Sequence, residues 1–499
     1  MEDSFYIRLE PVRRSEFHPP SPFGLRRDRF RASATIRGVK RAILAILLLS
    51  GGLAAAYGYF VTSQENSHRS LILRGDAALA NGDPSTAIEL FSGAITLRDD
   101  AMIGYLKRGE AYRRRDDLEA ALRDLRRASE LDPSATRPRE LLGDVNYARS
   151  RFLPAAEHYE AYVRLDDNSP RVLYKLALAR YRAAQPALAI TWLTKAVTLD
   201  DHFPEAHYLL GLCQRDAQKP AAALASLNKA IALDRTMVPA REELADLLEK
   251  LGRDEDAIAQ REALRVLDPS TSRDVTLGLA YAAAGRTDRA IVTLRDAAER
   301  QPSSRVTYVA LGRVWLDAAQ AHDDGVHLGK AIEALEHATN PAFGQETSEG
   351  LMLLGRALLF KGDAERAEHA LQLSVEKLPV DPQAFYYLAD AAERRAHFEA
   401  ARQALLDYTS LVGDDPDARR RAALAVRIGD LSMRLADHPM AVAYYERAAV
   451  YQNDVDFLVK FADARWRIGQ GNEARVILNR ALERDPTHPG GLALKRRLR

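Results

Sequence analysis

Residues 102–133 read MIGYLKRGEAYRRRDDLEAALRDLRRASELDP. Apolar side chains recur here at i, i+3, i+4 and i+7 on both sides of the breaker Arg115-Asp116-Asp117, and Pro133 blocks continuation beyond the second run. The stretch predicts two helices joined by a tight turn. Two small residues, Gly109 and Ala121, stand twelve positions apart, one in each helix.

Moving outward, the same pair returns along most of the chain. A small residue stands at Gly75, Gly109, Gly143, Ala177, Gly211 and Ala245, each 34 positions after the last, and again at Gly278, Gly312, Gly355, Ala389, Gly429 and Ala462. The second small residue is alanine in every unit: Ala87, Ala121, Ala155, Ala189, Ala223, Ala257, Ala290, Ala331, Ala367, Ala401, Ala441 and Ala474. Four residues later comes a bulky knob such as Phe91, Leu125, Tyr159 or Leu193, with Arg261 as the exception. Two antiparallel helices approach closely only where facing positions lack bulk, while the knobs fill the neighbouring grooves. Two longer steps mark insertions, at Ala319 to Leu328 in the eighth unit and Val412 to Ala422 before the eleventh.

Gly109, Tyr112, Ala121, Leu125, Ala128 and Pro133 together resemble the tetratricopeptide repeat. The resemblance spans residues 68–488 and implies an all-α chain: a right-handed α-solenoid of about twelve helical hairpins. In that family the first helix of each unit builds an inner wall that binds peptides or partner helices. At the position after the small residue stand Asp76, Glu110, Asp144, Asp246, Asp390, Asp430 and Asp463; three residues before it stand Tyr174, Tyr208 and Tyr386. These ten form the candidate partner-binding groove. As an open acidic row with aromatic platforms it would suit a basic or amide-rich peptide; the competing reading pairs the acids with arginines on adjacent helices. No Asn occupies the acidic register, so the carboxylate grip of the family's chaperone-tail binders is not expected.

Ahead of the repeats, residues 42–62 (AILAILLLSGGLAAAYGYFVT) carry no charge, and 21 residues at about 1.5 Å each match a bilayer core of roughly 30 Å. This predicts one transmembrane signal anchor. Arg26, Arg27, Arg29, Arg31, Arg37, Lys40 and Arg41 precede it, which places the N-terminus in the cytoplasm and the repeats outside a bacterial inner membrane. Cleavage near Ala54-Ala55-Ala56 is the alternative. Residues 1–41, with Pro11, Pro19, Pro20 and Pro22, read as a disordered basic tail, and residues 489–499 as a basic cap.

Lys+Arg 71 against Asp+Glu 70 leaves no basic field for nucleic acid. The lone Cys213 makes neither an internal disulfide nor a thiolate metal set and reads as a packing residue. His322-Asp323-Asp324-Gly325-Val326-His327 reads as an exposed polar turn in the eighth unit's insertion. No phosphate loop or nucleophile elbow occurs, and only 13 residues follow Pro486, so neither an enzyme, a cofactor, a metal nor a small-molecule substrate is expected.

These readings converge on a membrane-tethered scaffold binding proteins or peptides, in envelope or exopolysaccharide assembly. The alternatives are a glycan binder using Tyr174, Tyr208 and Trp315, and an assembly regulator facing the cytoplasm. If the recurring alanine marks a close helix crossing, Ala223→Leu lowers stability by about 1–3 kcal/mol. A shift in the circular-dichroism melt measures it.

Overall fold

The computed structural model describes residues 29–322, 324–344, 346–413 and 417–498, with the side chains of 29–40 left aside; the first 28 residues of the leader and Arg499 lie outside it. The chain falls into two units, residues 1–179 and 180–499. The first holds α1 (Arg29–Ala80), α2 (Pro84–Leu97), α3 (Met102–Arg114), α4 (Leu118–Leu131), α5 (Thr136–Ala148), α6 (Phe152–Val163) and the start of α7 (Pro170–Arg182). The second continues with α8 (Pro186–Leu199), α9 (Pro204–Asp216), α10 (Pro220–Leu233), α11 (Val238–Lys250), α12 (Asp254–Leu267), α13 (Thr271–Ala283), α14 (Thr287–Arg300), α15 (Arg305–His322) and α16 (Gly325–Ala338). Then follow α17 (Ser348–Lys361), α18 (Ala364–Val375), α19 (Pro382–Arg394), α20 (Phe398–Val412), α21 (Ala418–Arg434), α22 (His438–Ala448), α23 (Val455–Arg467), α24 (Gly471–Arg484) and α25 (Pro489–Arg497). Among the described residues there is no strand, and helices adjacent in sequence pack as antiparallel hairpins within each unit.

Local chemistry sets the hairpin boundaries. In several hairpins the second helix opens on an aspartate cap or a proline: Asp83, Asp117, Asp363 and Asp437 accept from the Thr86, Ala120, Arg366 and Met440 amides, and Pro186 and Pro220 stand in the first turn. Between units, Asp132, Asp234 and Asp485 each accept the amide two residues on, all at 2.9 Å, in a side-chain-stabilised turn.

Where the small residue is glycine, the knob seats on it within the same hairpin. All twelve recurring alanines are fully buried. The three aromatic knobs, Phe91, Tyr159 and Tyr445, lie so close to Gly75, Gly143 and Gly429 that a methyl group there would strike the ring. Leu125, Leu227 and Leu294 would lie 2.9, 2.8 and 2.6 Å from a Cβ on Gly109, Gly211 and Gly278. Where the small residue is Ala389 or Ala462, the knob is the slimmer Leu405 or Leu478 in the same cluster.

Three features differ from the sequence reading. Residues 29–41, expected to be irregular, are helical; they follow the last leader proline, Pro22, and extending a formed helix needs no new nucleus. The apolar segment and the first repeat helix are one helix of 52 residues, with contact to α2 beginning at Gln64, which donates to the Leu97 carbonyl at 2.7 Å. The eighth-unit insertion lengthens α15 to 18 residues, so His322 ends a helix while His327 sits in the first turn of α16 beside Asp324.

The turn inside the hairpins repeats one backbone feature. Seven residues after the small residue, φ is positive at Gly82, Asp116, Ser150, Ala184, Gln218, Gly252, Gly285, Gly362, Ala396, Ala436 and Gly469. A side chain with a Cβ is strained there by about 1–2 kcal/mol, partly offset by the extra freedom glycine has when unfolded. Ala396→Gly and Ala436→Gly therefore each stabilise the second unit by about 0.5–1 kcal/mol. Gly252→Ala shifts the chemical-denaturation midpoint the other way.

Candidate functional site

All seven acids of the expected row are in ion pairs, five of them with a cation of the following hairpin and two, Asp246 and Asp463, within their own. Asp76 pairs with Lys107 at 2.8 Å, Asp144 with Lys175 at 2.7 Å, Asp390 with Arg427 at 3.3 Å and Asp430 with Lys460 at 2.8 Å. In each case the cation lies two residues before the small residue of the following unit. Where that register offers no cation, another arginine answers. Thr276 occupies it after Asp246, and Arg261 pairs with Asp246 at 2.5 Å and with Glu249 at 3.0 Å. This accounts for the one charged knob. Leu141 occupies it after Glu110, which pairs with Arg137 at 3.4 Å, and Asp463 pairs with Arg467 on its own helix at 2.8 Å. The fifth unit reverses the polarity, with Arg215 bonded to Glu243.

Two knobs join the row. The Tyr159 hydroxyl donates to Asp144 at 2.7 Å and the Tyr445 hydroxyl to Asp430 at 2.6 Å. Burial, reinforced by these carboxylates, pushes both phenols up, so they stay neutral donors. The residue that seals close helix packing thus also orients an acid of the row.

Sequence reading passed over Glu140, although it shares the register of Tyr174 and Tyr208. It is 2% exposed and gathers Arg137 at 2.8 Å, Lys175 at 2.7 Å and Arg171. Burial alone would raise its pKa, but the hydrogen bonds from Arg171, Lys175 and Arg137 prevail and hold it at about 2.

The expected aromatic platforms have different surroundings. Tyr174 is half-buried, and Tyr208 packs against the core of α10 and α11. Trp315 lies against two core clusters, with the Lys330 ammonium 5.9 Å from its ring centre. Tyr386 is the open one, 38% exposed, with the Arg427 guanidinium 5.3 Å above its ring and Tyr408 5.6 Å away. It borders a cleft of about 1280 Å³ between α19, α20, α21 and α22, which the sequence reading did not foresee. Cys213 is buried, and burial pushes its thiol up to about 12. Among the described residues, no group of three His, Cys, Asp or Glu is placed to hold a metal ion.

The tetratricopeptide repeat family matches residues 106–170, 174–238, 275–304 and 352–419. The chain is similar to human tetratricopeptide repeat protein 36, with 40% identity over 72 residues, which is 14% of this chain and 38% of that protein. It therefore spans well under half the length of the curated relatives it matches. Among solved structures it is similar to pilF of Pseudomonas aeruginosa: 26% identity, 42% of this chain and 96% of that one, TM-score 0.34. It is also similar to a tetratricopeptide repeat protein of Parabacteroides merdae: 17% identity, 50% of this chain and 99% of that one, TM-score 0.37.

Glu140 makes a pH prediction. Its folded pKa lies below the ordinary 4.5, so its stabilising contribution is full above that value and is lost as pH falls from about 4.5 towards 2. Glu140→Gln lowers stability at pH 7 by about 2 kcal/mol, the scale of hydrogen bonds to a charged group. It also flattens the acid limb of a circular-dichroism unfolding titration.

Proposed function

The chain belongs to the tetratricopeptide repeat family, and we propose that it is a membrane-tethered scaffold whose repeats gather partner proteins in envelope or exopolysaccharide assembly. The observation that carries this reading is the continuity of α1. Its apolar window has a mean hydropathy of 1.9 and none of it is buried by protein. Ile43, Leu44, Ile46, Leu47, Leu48, Leu49, Leu53 and Phe60 are exposed together, a surface suited to lipid rather than water. Two residues past Thr62, Gln64 is already bonded to α2, and Glu65 pairs with Arg98 at 2.5 Å. The first hairpin is therefore held at the membrane surface without a flexible linker. A tether of this kind presents the repeats to other components of one membrane assembly.

The paired state of Asp76, Asp144, Asp390 and Asp430 bears on how partners are recognised. Each acid already has a cationic neighbour, so a basic peptide would have to displace a bound lysine or arginine. In this reading the row mainly sets the register between successive hairpins, and recognition uses side chains beside it.

The arginine-rich leader supports export of the repeats. A phosphatase fused after Arg499 is active only outside the cytoplasm, and a fluorescent protein that matures only inside reports the opposite side. Phosphatase activity with dark fluorescence is expected. The reverse pattern would instead favour the assembly regulator facing the cytoplasm. Photo-crosslinkers placed along the repeats in intact membranes are expected to capture defined protein partners, and capture of none would reject the scaffold reading.

A further inference from the structure

We propose that the face of α1 turned away from α2 receives a helix of a second protein anchored in the same membrane, one that carries Asp or Glu and an apolar side chain just outside its span. This deepens the scaffold reading and rests on it, because the face begins at the membrane surface.

The repeat register shows what the first hairpin, with none before it, leaves open. Two residues after the small residue the side chain is buried in every later unit, from Ala111 to Ala464, whereas Ala77 is exposed. Ala111 packs against Leu79, Ala87 and Phe91 of the hairpin before it. Leu73, two residues before Gly75, is 60% exposed, while Leu141 in the same register is fully buried. Ser70 corresponds to Gly104, where a Cβ would lie 2.8 Å from the Ile95 side chain of α2. Terminal repeats that stay free carry a polar outer face. Leu73 and Ala77 instead keep the composition of a helix-packing joint.

Charge names the occupant. In the register of Arg69, Arg137 pairs with Glu110 of the preceding hairpin at 3.4 Å, and Arg171 bonds Glu140 in the same way. In the register of Arg74, Arg108 is held by Asp124 at 2.6 and 2.9 Å, but the first unit has Leu90 where the second has Asp124. Arg69 and Arg74 are exposed and have no carboxylate partner among the described residues. The only acids of α1, Glu65 and Asp76, are taken by Arg98 and Lys107. Under the membrane reading the leader lies across the bilayer, so its acids do not reach this face. An incoming helix therefore supplies the acid that a preceding hairpin supplies elsewhere, and its apolar side chain covers Leu73 and Ala77. The face runs on towards the bilayer through exposed Asn66, Thr62 and Tyr59, along a concavity of about 550 Å³ that reaches Arg74. A helix following it enters the membrane beside α1. A second copy of this chain would set arginine against arginine.

The test uses the full chain in vesicles of zwitterionic lipid, with a photo-crosslinking side chain in place of exposed Ser70. Three synthetic probes share one Leu-Ala span and differ in two outer helical turns that carry Glu and Leu, Lys and Leu, or Gln and Leu. The Glu probe is expected to crosslink at least about five-fold more than either other, a difference of about 1 kcal/mol. Reversing both cations, Arg69→Glu with Arg74→Glu, is expected to move the preference to the Lys probe with helical content unchanged. The proposal is overturned if the Lys or Gln probe crosslinks as well, if the double reversal leaves the preference unchanged, or if the crosslink joins two copies of the chain. It is equally overturned if a soluble Glu peptide without the span, or added anionic lipid, displaces the Glu probe completely. In intact membranes, partners whose capture at Ser70 persists in the double variant would remove this site and leave the scaffold reading standing; capture of no protein along any repeat would remove both.

Discussion

The structure depends on how closely the two helices of a hairpin approach, and that distance is set by one contact: a knob from the second helix resting on a residue of the first that has almost no side chain. Phe91 on Gly75, Tyr159 on Gly143 and Tyr445 on Gly429 are its tightest forms. Interiors pack at crystal-like density, so a methyl group at the wrong partner cannot be absorbed without moving a helix. The contact also explains a correlation within the chain. Every aromatic knob faces glycine, whereas alanine at that position goes with leucine in the pairs Ala389 with Leu405 and Ala462 with Leu478 and with the exceptional Arg261 at Ala245.

Once the hairpins stand at that distance, residues flanking the small position face the next unit, and charge organises the joint. An acid beside the small residue meets a cation two residues before the next one, four times over. Such pairs, part exposed, contribute modestly to stability. Their larger effect is to penalise misregister, since a hairpin shifted by one turn would leave an acid without its partner. Arg261 shows the constraint acting in reverse. With Thr276 in the cation register, the knob itself is charged and turns its guanidinium onto Asp246 and Glu249. Net charge near zero thus comes from local pairing within the row as well as from averaging over the whole chain.

Departures from regularity lie where function has room to act. The long α1 removes the linker between an apolar segment and the first hairpin. Before the eleventh unit, α20 and α21 are longer than most repeat helices and border a cleft together with α19 and α22. By contrast, the eighth-unit insertion is absorbed into a longer α15 and adds no cluster able to hold a metal among the described residues.

The sequence by itself determined the hairpins and their boundaries. Spacing of small and bulky residues, proline position and aspartate caps are local properties, and local backbone chemistry decides them without reference to distant parts. It also displayed the acidic register from Asp76 to Asp463 and the apolar run 42–62. Only the tertiary structure decided what those residues do next. Whether Asp144 is open or paired depends on Lys175, 31 residues away, and whether Tyr208 or Tyr386 is a platform depends on the core packed beneath it. Glu140 shared a register with two tyrosines, but its three cations come from two helices. The cleft was illegible for the same reason. It is a space lined by side chains of four helices, and no single segment carries its pattern.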